Sequence, residues 1–376
     1  MEEKKFSKIK ISIISIILLI LVLLIAYYIT NEKFRNIIDI KFFEKQVQEN
    51  NLDFIEIKAE DNPTYFAFDS RIGIISKNKL VIYNNKGVQE NTFSIHISNP
   101  IINANGKFAV IAEKDGNNFY IINSASLLFQ TKIDGKINKI SINENGFVSI
   151  IASNSTYNSI IIVYDNDNNE LFKTYLNSAY AIITSISNSN NYLAIGEVNY
   201  NGTAIKSKIE VIDINTAKTV YEFNTPNNEI LTNVVYDIND NAICSFSNSV
   251  YKINSSNHEQ IYKITEEIPY VNIDMTGIMA IIERESSGLF SYDYKLKLKS
   301  TINNSENIYF LANGLPKSTI SKGSNIALNY GNQVIIVNKN GNLKKSYISN
   351  QQIKGIILGN QICGIVFKDK IEIISL

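Results

Sequence analysis

Chemistry in this chain would have to come from a small set of side chains. The richest stretch is Asp165-Asn166-Asp167-Asn168-Asn169-Glu170, which sets oxygens at the first, third and fifth positions of a calcium loop. Such a loop also needs Gly at the sixth position and Glu at the twelfth, where this chain has Glu170 and Leu176. The stretch therefore reads as an Asx-rich turn between two strands, with calcium binding as the alternative. His96 and His258 fall in different repeat units, and neither has a second ligand at metal spacing. Cys244 and Cys363 each follow an Ile in units that are not neighbours, so they read as small buried hydrophobes, with a disulfide as the alternative. Asp69, Asp237 and Asp274 stand at or near strand ends, where Asx residues usually cap turns. No nucleophile elbow, phosphate loop or dinucleotide fingerprint occurs. No catalytic, cofactor-binding or metal residue is assigned, and no cofactor is expected.

The elements that would have to position any site repeat along the chain. Residues 98–134 give the pattern: an apolar strand at 99–104, an Asn105-Gly106 turn, a strand at 108–112, a loop through Asp115-Gly116, and strands at 118–123 and 127–133. Asn-Gly and Asp-Gly supply the positive φ of tight hairpins. Equivalent first turns recur near Asp69, Asn105, Asn145, Asn190, Asp240, Thr276, Gly323 and Gly359. The last unit stops after its third strand, and Asp53–Lys58 is a strand left over at the start. Pairing the two would close a ring and leave no open edge. Four strands at a period near forty residues is a β-propeller signature. We expect an all-β fold over 52–376, an eight-bladed propeller closed by an N-terminal strand, with seven blades as the alternative.

The segments before the ring differ in kind. Residues 1–10 form a short tail with four lysines, and 11–30 run without a charge. As a helix this run spans ~30 Å, the thickness of a hydrocarbon core. The alternative, a cleaved signal peptide, would have a shorter apolar run ending in small residues. Residues 31–51 carry Phe34, Ile37, Ile38, Phe42 and Val47 at helical intervals, which predicts a helical stalk. The expected arrangement is a cytoplasmic tail, one transmembrane helix, a stalk and an extracytoplasmic propeller, placed at the cell membrane. Lys/Arg and Asp/Glu number 36 each; the first fifty residues hold eight and six of them, leaving 28 against 30 for the ring. A ring this neutral carries no electrostatic footprint for nucleic acid.

Two stretches exceed the minimal repeat. Glu197–Lys208 reads as a loop between second and third strands, and Asn303–Ser318 as an inter-blade link. Both should fall on the face away from the membrane, and insertions on one face of a repeat fold mark a binding side. The candidate rim is Tyr200, Lys206, Tyr309, Phe310 and Pro316.

The four-strand rhythm with its Asn-Gly turns resembles the quinoprotein-like and WD40-like propeller superfamily. The whole arrangement resembles single-pass membrane proteins of anaerobic Gram-positive bacteria in which an N-terminal anchor carries a propeller of unknown function. The resemblance implies an exported propeller in a bacterial envelope. The chain has no Trp. It therefore lacks the Trp-Asp strand endings of WD40 repeats and the tryptophan docking positions of quinoproteins, which argues against quinone-dependent dehydrogenation. The expected role is a non-enzymatic binding or scaffold module for an envelope protein or wall polymer. The alternatives are a propeller-based glycan lyase or hydrolase, and a ligand sensor working through a membrane partner.

Overall fold

Eight antiparallel sheets follow one another along the chain and close into an eight-bladed propeller, which decides between the two blade counts expected. The computed structural model describes residues 2–31, 34–35, 38, 46–47, 52–58, 62–199, 205–225, 229–265, 270–274, 276–286 and 292–376. The first strand of each blade lines the axis: Thr64–Phe68, Pro100–Asn105, Lys136–Ile142, Tyr180–Ile186, Leu231–Tyr236, Tyr270–Ile273, Ser318–Lys322 and Gly355–Leu358, in blades 1 to 8. Blade 8 takes its outermost strand from the start of the ring, where Phe54–Glu56 pairs antiparallel with Lys370–Ser375. Ile55 locks that closure, being buried against Ile72, Val366 and Ile371.

Burial explains why the second and third strands were the most legible. Phe108–Glu113 and Ser159–Tyr164 are covered on both faces by neighbouring blades, so they are almost unbroken apolar runs. Outermost strands such as Gln89–Ser94 are covered on one face and alternate. Each fully buried Ile or Val contributes about 1.5–3 kcal/mol relative to exposure, and these residues tie adjacent blades into shared cores. The turns explain the heavy use of Asn and Asp. Asn143, Asp165, Asp237 and Asn338 each accept backbone N–H groups from two and four residues ahead on one side-chain oxygen. The residue three ahead has positive φ in each case: Gly146, Asn168, Asp240 and Gly341. Asp165 is thus a turn residue, as its composition suggested.

Three expectations are corrected. The stalk over 31–51 is not one continuous helix: Gln46–Val47 form a short strand parallel to Ser346 and Tyr347, extending blade 7 to five strands. Unpaired backbone groups on the edge of that outermost strand offer the segment inter-strand hydrogen bonds in place of a helix's own. Most of the rest of 31–51 lies outside the described residues. Glu197–Lys208 is no simple loop, since Tyr192–Asn199 and Lys206–Asp213 pair along their whole length. Blade 6 is shifted outward. Its third strand is Tyr292–Ser300 and its fourth is Glu306–Phe310, so the first part of the stretch read as an inter-blade link holds the blade's outermost strand.

The chain begins with a helix, Glu2–Thr30, whose described side chains from Ile14 to Ile29 are largely apolar and exposed. Among the described residues no helix is long and apolar enough to cross a membrane, so the fold alone does not show the span expected over 11–30.

Candidate functional site: a polar channel and two tall hairpins

The inner strands leave a cavity of about 310 Å³ on the propeller axis, near the turns that join first and second strands. Its wall is polar. Ile142 N donates to Asn103 Oδ1 at 3.1 Å, Asn272 Nδ2 donates to Ser321 Oγ at 2.7 Å, and Ser141 and Thr184 add hydroxyls. Two lysines enter it. Lys322 of blade 7 reaches across the axis and donates to the Ala104 carbonyl of blade 2. It also borders a second cavity of about 390 Å³ lined by Tyr65, Phe66 and Ile102, so it stands where the two halves of the channel meet. Lys139 of blade 3 lines the first cavity and is largely exposed. Among the described residues neither ammonium is in an ion pair, and burial lowers the pKa of both. Asp274 is the acidic group of the inner wall, pushed up to about 6 by burial. Its Oδ1 is occupied by its own turn, accepting from Thr276 N at 2.9 Å and Thr276 Oγ1 at 2.5 Å. Asp274 and, exposed at the mouth, Glu144 both help keep Lys322 charged.

The opposite face has a different character. The second and third strands of blade 4 are eight residues each, and those of blade 6 are nine each. In blade 5, between them, both are five residues long. Three extra residues raise a hairpin by ~10 Å at ~3.3 Å per residue. The first turns of all three blades lie at one level, so the excess stands on the face opposite the channel cavity. Charge on these hairpins is paired. In blade 4, Lys208 Nζ lies 3.2 Å from Glu197, 3.3 Å from Glu210 and 3.2 Å from Glu222. Glu197, two residues beyond the core residue Ile195, is buried, and burial pushes its carboxyl up to about 7. Burial opposes the Lys208 charge, but the surrounding carboxylates outweigh it and hold the ammonium above its ordinary value. In blade 6, Glu283 accepts from Lys297 at 2.7 Å and from Tyr262 of blade 5 at 2.7 Å, and lies 3.2 Å from Lys295. Apolar groups also show on this side: Ile205, Ile230 and Tyr292, the last stacked under Arg284 at 4.6 Å.

The residues singled out from sequence are dispersed. Tyr200 lies outside the described residues. Lys206 is exposed at the top of the blade 4 hairpin, paired with Asn199. Tyr309 is buried and Phe310 half-buried in the outermost strand of blade 6, and Pro316 is buried in the link to blade 7. The three strand-end carboxylates do not converge. Asp69 pairs with Arg71 at 3.2 Å and Asp237 is fully buried under its own turn, so only Asp274 borders the cavity. His96 is exposed, and the His258 ring meets the Tyr221 hydroxyl at 2.7 Å. Both cysteines are free and buried. Among the described residues no cluster could hold a metal ion. Sequence reasoning missed Lys139 and Lys322. Their signal was a charge at an axis-facing position of a first strand, which only the closed ring makes meaningful.

Residues 44–376 match a family described as a family of unknown function, DUF5711. No curated protein sequence matches the chain. Among solved structures, the C-terminal WD40 domain of Sif2 superposes with a TM-score of 0.56 at 11% identity, covering 87% of this chain and 99% of that one. The Dos1 propeller gives 0.54 at 13%, covering 86% and 95%. Sqt1 of Chaetomium thermophilum, bound to the N-terminus of the ribosomal protein L10, gives 0.52 at 10%, covering 86% and 99%. At these identities the likeness shows the fold alone. The resemblance to membrane-anchored proteins of anaerobic Gram-positive bacteria gains no support from these matches.

Proposed function

The chain belongs to the DUF5711 family of unknown function, and we propose that it is a membrane-anchored, extracytoplasmic propeller serving as a binding scaffold for an envelope protein or wall polymer. The observation that carries this reading is the pair of tall hairpins on blades 4 and 6, which flank the short blade 5 on one face. Sheet extended beyond the needs of blade packing, with exposed Ile205, Ile230 and Tyr292 nearby, suits contact with a macromolecule. Protein capture on a propeller has a precedent in Sqt1 with its L10 segment. The uncharged run over 11–30, within the helix Glu2–Thr30, serves as the anchor, and the four lysines of the tail keep the N-terminus cytoplasmic. Catalysis is the weaker reading, because Asp69, Asp237 and Asp274 share no wall.

Two experiments test this. Alkaline phosphatase fused after Leu376 is expected to be active; an inactive fusion would overturn the orientation. Crosslinking full-length protein in its own membranes should recover a partner that is lost when residues 199–206 are deleted. The same partner recovered in equal yield from the deleted, folded protein would count against the rim.

A further inference from the structure

We propose that the axial channel is a binding site for a small, hydroxylated, soluble molecule carrying one carboxylate or phosphate group, held by Lys139 and Lys322. This goes beyond the scaffold reading and does not depend on it, since the channel cavity and the hairpins lie on opposite faces.

The argument is one of unmatched donors. An ammonium offers three N–H donors and no acceptor. Lys322 gives one to Ala104 O, and Lys139 gives none to any described residue. Asp274 helps keep Lys322 charged but forms no ion pair with it among the described residues, and its Oδ1 is engaged by Thr276 and Ile278 of its own turn. Elsewhere the protein treats lysine differently: Lys208, Lys295 and Lys297 each have a carboxylate within 3.3 Å. Lys139 is exposed and Lys322 half-buried, so both keep N–H donors that an oxyanion in the cavity can accept from through charge-assisted hydrogen bonds. Burial lowers the pKa of both lysines, and a bound anion would raise them again. Two features set the ligand class. The cavity of about 310 Å³ is at the small-molecule end of ligand sites. Its wall of Ser141, Thr184, Asn272 and Ser321 suits hydroxyl groups. Glu144 at the mouth disfavours highly charged anions, which is why a single acidic group is specified.

Isothermal titration of the full-length protein with gluconate, glucose 6-phosphate and glucose tests the inference. At least one of the two acids should bind saturably and glucose should not, and which acid binds separates carboxylate from phosphate. Lys139→Gln or Lys322→Gln should weaken binding roughly 10- to 100-fold, the worth of one charge-assisted hydrogen bond. Lys299→Gln, on the third strand of blade 6 and outside the cavity lining, should leave it unchanged. Should Lys322→Gln fail to fold, Lys139→Gln decides alone, since the Lys139 side chain is exposed and its replacement leaves the strand ladder intact. Absence of binding by both acids at millimolar concentration, or equal affinity in Lys139→Gln and the parent, overturns the proposal.

Discussion

The hairpins of blades 4 and 6 and the axial channel hold similar side chains in opposite electrostatic circumstances. On the hairpins, Lys208 sits among three carboxylates, and Glu283 joins Lys295, Lys297 and Tyr262 across a blade boundary. In the channel, Lys139 and Lys322 have no ion pair among the described residues, and Asp274 is turned to its own backbone. Both regions are charged, but they mean different things. Cross-strand pairs let a sheet grow past its apolar core, because each new strand residue brings its own counter-charge. Lysines on the axis with no ion pair among the described residues do no such work for a sheet and leave N–H donors open to the cavity. Charge density alone would have pointed to the hairpins as the ligand site; the absence of ion pairs among the described residues sets the channel apart.

The comparison can be broken in three graded ways. The largest effect is expected from Glu283→Ala, which removes the carboxylate shared by Lys295, Lys297 and the Tyr262 hydroxyl and leaves the lysines only Glu285 and Glu306; it should cost ~2 kcal/mol by denaturant unfolding. A loss under half of that would mean the blade 6 network is surface decoration. A smaller, pH-dependent effect is expected at Glu197. The folded chain keeps its proton up to about pH 7, whereas the unfolded chain releases it near the ordinary carboxylate value. Stability from protonated Glu197 is therefore complete in acid and declines as pH rises through about 7. Glu197→Gln should remove that decline, so its melting temperature should gain on the parent between pH 5.5 and pH 8. A constant difference would show that Glu197 is ionised throughout. The smallest effect is expected from Asp274→Asn, at most ~1 kcal/mol, because Asn keeps the acceptor used by Thr276 and Ile278. A much larger loss would reveal a direct Asp274–Lys322 pair and undo the contrast.

The fold was largely legible because each repeat states its own boundaries. Asn or Asp opens many of the turns, Gly, Asn or Asp three residues later takes the positive φ, and doubly buried strands such as Ser159–Tyr164 follow as apolar runs. The closing strand was legible too, since Asp53–Lys58 had no partner in its own neighbourhood while the last unit lacked a strand. Blade 6 misled for a physical reason. Lys295-Leu296-Lys297-Leu298-Lys299 alternates as outermost strands do, yet it is a third strand whose lysines are neutralised by Glu283 and Glu306. Likewise Glu197 and Lys208 looked like loop residues until their pairing made them sheet. The channel was the least legible. Lys322 and Ala104 are 218 residues apart, and nothing local announces that they meet.

The most direct test of the central claim is thermal unfolding of full-length Lys208→Met and Lys139→Met proteins, side by side at neutral pH. Removing Lys208 leaves Glu197, Glu210 and Glu222 without their shared cation and should cost ~2 kcal/mol. Removing Lys139 takes away an exposed charge with no ion pair among the described residues and should leave stability unchanged. Equal losses in the two proteins would contradict the account, because Lys139 would then be paired within the fold and the channel would have no charge left over for a ligand.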